Sequence, residues 1–456
     1  MTVSSTAVAF PGALAIPHEP VRTRREASLP ERFFCFYVSA IPLLWMLGLT
    51  LPTVLVGVFG TALLFVRSQR AIAFALPWLL VAVLQLLAVM VNMVAAHQPP
   101  WMLVKHLIAT YVSGWFLMAG AIAIGASGLI RPAPYLHAVA RIGFWAVALA
   151  LPMYAIAVAS GEQSIFVRTP IGLLLPASLP STSFFFSMLL FNWEDLLGVA
   201  LPRLSLFAPW TTAMGFCGLC LLFLCLNEPK RRRRRVACAC AVFMVLASCS
   251  RLAILTLLVT SSVYWLLGRS RAFLVVAGCA GVALACAVVI ATGGAPVDAV
   301  SRFNDSLKDM RPSASNARDT VHDATMEGIR TSPLIGHGWP GEPLYPDDFP
   351  KVMIGDSTMV PGSHSTFDGL AYKAGIPAAV AFAAALALTL ALVAWRPHDP
   401  AIARSTICLI LAIAMTGLGE CLDAIAVPST FAFLWLGIAL RQCRVGDRPL
   451  VPGAAR

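Results

Sequence analysis

The sequence predicts an all-α polytopic membrane protein with about twelve transmembrane helices, both termini inside and one large outer loop. Three observations lead there. The 456 residues are 59% hydrophobic and only 12% charged, with mean hydropathy +0.80, whereas about a quarter of a soluble domain is charged. Apolar stretches close to the roughly 20 residues that a span needs recur along most of the chain. With the N-terminus placed inside, 22 of the 33 Lys and Arg fall on inner segments and 16 of the 22 Asp and Glu on outer ones, which is the asymmetry expected when basic loops stay on the cytoplasmic side.

In chain order, residues 1–32 read as a disordered inner tail, because Arg22, Arg24 and Arg25 come too late for the basic start of a cleaved leader. The region 33–292 holds nine spans, near 33–49, 51–66, 71–96, 102–129, 138–159, 208–226, 236–250, 252–267 and 272–292. Within it, 160–207 is too polar to cross. "SFFFSMLLFNWEDLLGVALP" is interrupted by Asn192, Glu194 and Asp195 and reads as a helix lying at the outer interface. Residues 293–366 form the large outer loop, rich in Asp, Arg, Pro and Gly and too poor in alternating apolar pattern for an enzyme domain of its own. The region 367–440 holds three more spans, near 367–395, 405–419 and 425–440, and 441–456 is an inner tail.

The net charge of +11 does not point to nucleic acid, since "KRRRRR" (230–235) lies directly between two spans and serves as a topology anchor touching anionic membrane lipid. Cys217, Cys220, Cys238 and Cys286 lie within expected spans, so "CGLC" (217–220) reads as small packing residues rather than a redox or metal pair. No compact carboxylate cluster stands out, "PDD" (346–348) being the closest, and no GxxxxGK[ST] occurs; neither a metal site nor a cofactor is expected.

The unusual residues gather at the outer ends of the spans. Arg251 in "SCSRLAIL" sits at the turn of a hairpin with two apolar arms, and Arg203 in "LPRLSLFAP" leads into the sixth span. A charge this close to hydrocarbon usually faces a cavity or a partner, although each of these also suits an interfacial anchor. In "NARDTVHDATMEGIRTSPLIGHGWPG" (316–341), Val321, Ala324, Met326 and Ile329 suggest a short amphipathic helix ending at Thr331–Pro333, with Arg318 in its first turn. "PLIGHGWPG" then makes a Gly-rich turn that permits close backbone approach and carries His337. In "GSHSTFDGLAYKAGIP" (362–377), His364, Asp368 and Tyr372 share one helix face at the start of the tenth span. Asp368 suits either fixing the tautomer of His364 or a favourable charge near a helix N-terminus. Arginines suit phosphate oxygens, because the guanidinium fork donates paired hydrogen bonds. A histidine suits proton transfer near neutral pH. Lys105, near the outer end of the fourth span, would serve a phosphate contact or snorkelling equally well.

The ordered series "SCSRLAIL", "ARDTVHDATMEGIRTSPLIGHG" and "SHSTFDGLAYKAGIP" resembles the signature stretches of the O-antigen ligase and polymerase superfamily of bacterial envelopes, over about 200–380 plus the twelve-span layout. The resemblance implies a GT-C-like glycosyltransferase of the bacterial inner membrane whose site faces the periplasm. Residues 160–207 would then be an interfacial periplasmic segment and 293–366 the large periplasmic loop. It implies a donor glycan on undecaprenyl diphosphate and a lipid A–core acceptor. It also implies that Arg251 and Arg318, with Arg203 as a less strict third, hold the diphosphate, and that His364 is the base for the acceptor hydroxyl. Ser365 stands where the family often has Asn, and His337 where it usually has a nonpolar residue. Attack at the anomeric carbon would be inverting and metal-independent, with the arginines neutralising the leaving diphosphate. An O-antigen polymerase or a protein O-oligosaccharyltransferase shares the architecture and differs in acceptor. A secondary transporter is the alternative of another class, for which Lys105 is the best residue; transporters, however, place their polar residues at mid-bilayer in paired repeats, a pattern this sequence lacks.

Overall fold

The computed structural model describes residues 26–97, 99, 101, 104, 107–175, 183–196, 199–269, 312–339, 360–395 and 399–444. Helix α1 (Leu29–Leu47) starts at Ser28, whose hydroxyl accepts from the Glu31 N–H, and turns through Gly48 (φ 76°) into α2 (Thr50–Phe65). Helix α3 (Gln69–Ala95) is followed by a π-wound segment, α4 (Leu107–Trp115), which leaves helical geometry at Gly114 and continues as α5 (Phe116–Ser127). Helix α6 is Pro132–Ser160; α9 (Thr211–Cys225), α10 (Arg231–Ala247) and α11 (Arg251–Leu266) follow the sheet region described below. Then come α12 (Pro312–Thr331), α13 (Thr366–Ala374), α14 (Ile376–Trp395), α15 (Pro400–Gly417) and α16 (Ala426–Arg444).

Every expected span except 272–292, which lies outside the described residues, coincides with a described helix or helix pair. Four of them, α3, α6, α14 and α15, are long and apolar enough to cross a bilayer by length and composition. Helices α5 and α9 are buried on nearly every side and form the centre with α16, as expected of helices apolar all round. Gly125 of α5 lies against the Leu434 carbonyl of α16, and Gly437 of α16 against the Ile122 carbonyl of α5. A Cβ at either would overlap backbone, so these two helices touch main chain to main chain, the small-residue packing that membrane helices use. Large side chains on the outer helices, such as Leu64, Leu151, Val158 and Trp395, are mostly exposed, which is tolerable in lipid and costly in water. The chain is a multi-pass membrane protein.

The two ends of the bundle differ. At the end carrying "KRRRRR", Arg131 pairs with the buried Glu31 at 2.6 Å, and His137 Nδ1 lies 2.7 Å from the fully buried Glu228. These contacts fasten α1 to α6 and α6 to the α9–α10 turn. At the opposite end, everything irregular collects.

Two expectations are corrected there. The segment 160–207 is not an interfacial helix. It is a three-stranded antiparallel sheet, β1 (Ser164–Arg168), β2 (Ser187–Leu196) and β3 (Val199–Leu204), with two short turns of helix between β1 and β2, α7 (Pro170–Leu174) and α8 (Ser183–Phe186). Aromatic and β-branched residues in "SIFVR" and the aromatics of "SMLLFNW" favour strands, and pairing satisfies the backbone where water is scarce. The expected span 367–395 is also not continuous. It breaks at Gly375 (φ 80°, ψ 165°), with Pro377 opening the next helix, so the face bearing Asp368 and Tyr372 belongs to a separate short helix, α13.

Candidate active site

Arg203 is placed by β3, opposite Asn192 of β2. It is only 7% exposed, and its Nε donates to the Ser248 carbonyl at 2.8 Å. Ser248 closes α10 in a tight turn: Cys249 takes a positive φ of 46°, the Ser250 N–H donates to Ser248 Oγ, and Ser250 Oγ caps α11 by accepting from the Ala253 N–H. The first residue of α11 is Arg251. Arg203 and Arg251, distant in sequence, are therefore fixed to one turn at a helix N-terminus. A cation at that end opposes the helix dipole. Guanidinium groups and a helix N-terminus nevertheless have the donor chemistry that an anion takes.

His364 lies just before α13 and is half-buried. Its segment is held by the 418–425 loop between α15 and α16. Thr366 Oγ donates to the Glu420 carbonyl at 2.6 Å and accepts from the Leu422 N–H at 3.0 Å, and the Cys421 thiol donates to the Ser363 carbonyl at 2.9 Å. Burial pushes the Cys421 thiol up to about 12, so it stays protonated as a donor. The same loop reaches the arginine corner: Gly419 packs against Leu252, the neighbour of Arg251, and the Glu420 carboxylate accepts from Trp210 Nε1 at 3.1 Å. Trp210 caps α9, six residues past β3. One loop thus joins the arginine turn to the histidine.

The third side is α12. Its helix ends at Thr331 as its apolar pattern predicts, but it starts at Pro312, so Arg318 is not in the first turn. One turn on from Arg318, His322 Nδ1 lies 3.7 Å from Asp368 Oδ2 of α13. Another turn on, Thr325 Oγ accepts from the Gly362 N–H at 2.8 Å. The side chain of Arg318 lies outside the described residues, as does Lys105. After α12, "PLIGHG" docks on α13 through backbone bonds, His337 N–H to the Tyr372 carbonyl and Gly338 N–H to the Lys373 carbonyl, both 2.8 Å. Gly336 permits this approach, since a Cβ there would meet Ala374 N at 2.6 Å. The His337 ring sits 4.6 Å from the Tyr372 ring, and its Nε2 is 2.9 Å from the Gly328 carbonyl. Those contacts are a packing role.

A family model described as O-antigen ligase (Wzy_C) matches residues 236–383. The match begins in α10 and covers the Arg251 turn, α12, the "PLIGHG" turn, His364, α13 and the start of α14. Over that third of the chain the sequence is similar to the O-antigen ligase family. No curated protein matches the chain.

The structure brings Arg203, Arg251, His364 and Asp368 to one end of the bundle, with the backbone of Arg318 on the helix that packs against Asp368. Four participants were not foreseen: Trp210, Glu420, Lys373 and Asp423. Lys373 and Asp423 form a buried pair at 2.7 Å. Lysine inside an expected span was the available signal, because such a charge needs a partner. Its partner lies 50 positions away in a different loop, which no local pattern reveals.

Proposed function

We propose that the chain transfers a glycan from undecaprenyl diphosphate to lipid A–core on the periplasmic face of the inner membrane. In this reading, Arg203, Arg251 and Arg318 hold the donor diphosphate. His364 takes the proton from the acceptor hydroxyl as its oxygen attacks the anomeric carbon, and the bond from that carbon to the diphosphate oxygen breaks with inversion. Undecaprenyl diphosphate leaves with its developing charge matched by the guanidinium groups, so the step proceeds without a metal ion. The donor's lipid tail enters between helices, and residues 293–366 cover the reacting sugars. Asp368 supports α13 from its first turn. His337 has a packing role here, and Lys105 is kept as a second phosphate contact.

The observation that carries this reading is the Arg203–Ser248 bond. It joins two separate arginine-bearing segments at one corner, and the 418–425 loop ties that corner to the histidine. A diphosphate and a hydroxyl nucleophile are the reactants such a pairing suits. The family match supports an enzyme acting on a lipid-linked glycan and a lipid acceptor.

The test is an envelope lipopolysaccharide gel of a deletion strain, with undecaprenyl-linked glycans analysed alongside. Bare lipid A–core with accumulated long lipid-linked polymer, restored by the wild-type chain but not by His364→Ala, supports the ligase. Core bearing a single repeat makes it the polymerase, which differs in acceptor. Normal ladders and normal lipid-linked pools overturn both and favour transport.

A further inference from the structure

The 418–425 loop runs alongside α13 and grips it at both ends. At the N-terminal end the grip is neutral, through Thr366 and the Cys421 thiol. At the C-terminal end it is ionic: Lys373 Nζ lies 2.7 Å from Asp423 Oδ2, with the two residues 4% and 7% exposed. Asp423 in turn packs against Gly114, where a Cβ would sit 3.1 Å from the Asp423 Cβ, and Gly114 is the residue at which α4 leaves helical geometry. The Lys373 carbonyl also receives the Gly338 N–H of the "PLIGHG" turn. Four segments distant in sequence therefore meet at one buried charge pair, at the far end of the short helix from His364.

Hydrophobic contact alone would hold α13 as well or better, because a desolvated ion pair is a weak source of net stability. What such a pair supplies is a defined geometry. Either charge left alone is strongly penalised, so the helix has one register against the loop. We propose that Lys373 and Asp423 are positioning residues that set the placement of His364 through the two ends of α13. The inference rests on the proposed role of His364, and it assigns no contact of either residue with substrate.

The experiment compares Lys373→Met, Asp423→Leu and the charge-exchanged double variant Lys373→Asp/Asp423→Lys, each purified in detergent and checked as monodisperse. The first readout is independent of the reaction: the rate at which diethyl pyrocarbonate modifies His364, read by mass spectrometry of its peptide. The expected result is at least a fivefold faster modification in each single variant, with most of the change reversed in the double variant, while His97 stays within twofold. The second readout is glycan transfer, where each single variant should lose at least tenfold in kcat with KM for the donor changed less than threefold. Unchanged His364 reactivity in folded single variants overturns the proposal. A loss confined to KM also overturns it, because it would place the pair in donor binding. If a single variant does not fold, Lys373→Arg, which keeps the charge, replaces it, and the expected result is then wild-type His364 reactivity and transfer at no less than a third of the wild-type rate; a tenfold loss in Lys373→Arg with unchanged His364 reactivity overturns the proposal. If the wild-type chain transfers no glycan while the reactivity pattern holds, the proposed function fails and the positioning stands.

Discussion

Replacing Gly375 by alanine tests how α13 is set against the rest of the site. Gly375 has φ 80° and ψ 165°, a region essentially restricted to glycine, and holding another residue there costs about 1–3 kcal/mol. An added Cβ would also overlap the Leu334 carbonyl and sit 2.9 Å from Ile335 N. Relief requires the "PLIGHG" turn to move, which breaks the bond from Ile376 N–H to the Pro333 carbonyl at 2.8 Å, worth about 1 kcal/mol net. The expected destabilisation is thus about 2–4 kcal/mol. Gly60 is the matched control, being inside α2 with nothing within 4 Å of its Cβ position; alanine there should be neutral or stabilising by about 0.5–1 kcal/mol. Unfolding midpoints of the two variants in the same detergent, with hydrogen exchange at the His337 and Gly338 amides, measure the difference. If Gly375→Ala were as stable as Gly60→Ala and those amides kept their protection, the docked turn described here would be wrong.

Other outcomes follow from the site. Arg203→Lys keeps the charge but cannot both donate to the Ser248 carbonyl and present a fork to an anion; long-chain ligation in the complemented deletion strain should fall at least tenfold, about 1.4 kcal/mol of transition-state stabilisation, with stability within about 1 kcal/mol of wild type. Cys421, its thiol raised to about 12 by burial, has a thiolate population at pH 8 smaller by about four powers of ten than its thiol, so N-ethylmaleimide should leave it intact in the folded protein and modify it once the protein is denatured. On the proposed topology, a green fluorescent protein fused after Arg456 should fluoresce and an alkaline phosphatase fused there should be inactive, and the reverse pairing would move the active end to the cytoplasm.

Hydropathy alone made the long helices legible, because a bilayer demands long apolar runs and little else in the sequence imitates them. The arginine turn was legible too, as a charge standing where charges are costly, and His364 as a proton-transfer side chain at the start of an apolar run. The sheet was not. "SFFFSMLLFNWEDL" is a short apolar run, and periodicity cannot separate helix from strand at that length; the decision lies in pairing with "SIFVR" across α7 and α8. The break in α13–α14 had a local signal in Gly375 followed by Pro377, yet the apolar run beyond it dominated the reading. The Lys373–Asp423 and Trp210–Glu420 contacts had no such signal, since each joins residues brought together only by the fold.

Those long-range contacts bear on why His364 stands just before a nine-residue helix rather than on the end of a long span. Non-helical backbone buried away from water must have its polar groups satisfied. The Gly362 N–H and the Ser363 carbonyl are taken up by Thr325 and Cys421, and the Thr366 side chain takes up the Glu420 carbonyl and the Leu422 N–H of the facing loop. Each of those partners comes from α12 or from the 418–425 loop, so the bonds that satisfy the irregular segment are the ones that fix His364. A span can tilt to match the thickness of the surrounding lipid. A short helix uncoupled from α14 at Gly375 and gripped at both ends need not follow that tilt. The position of the imidazole is then set by the loop and α12, which also carry or adjoin the arginine segments. On the proposed function, base and anion site then share one frame, which is the preorganisation a transfer between two lipid-borne substrates requires.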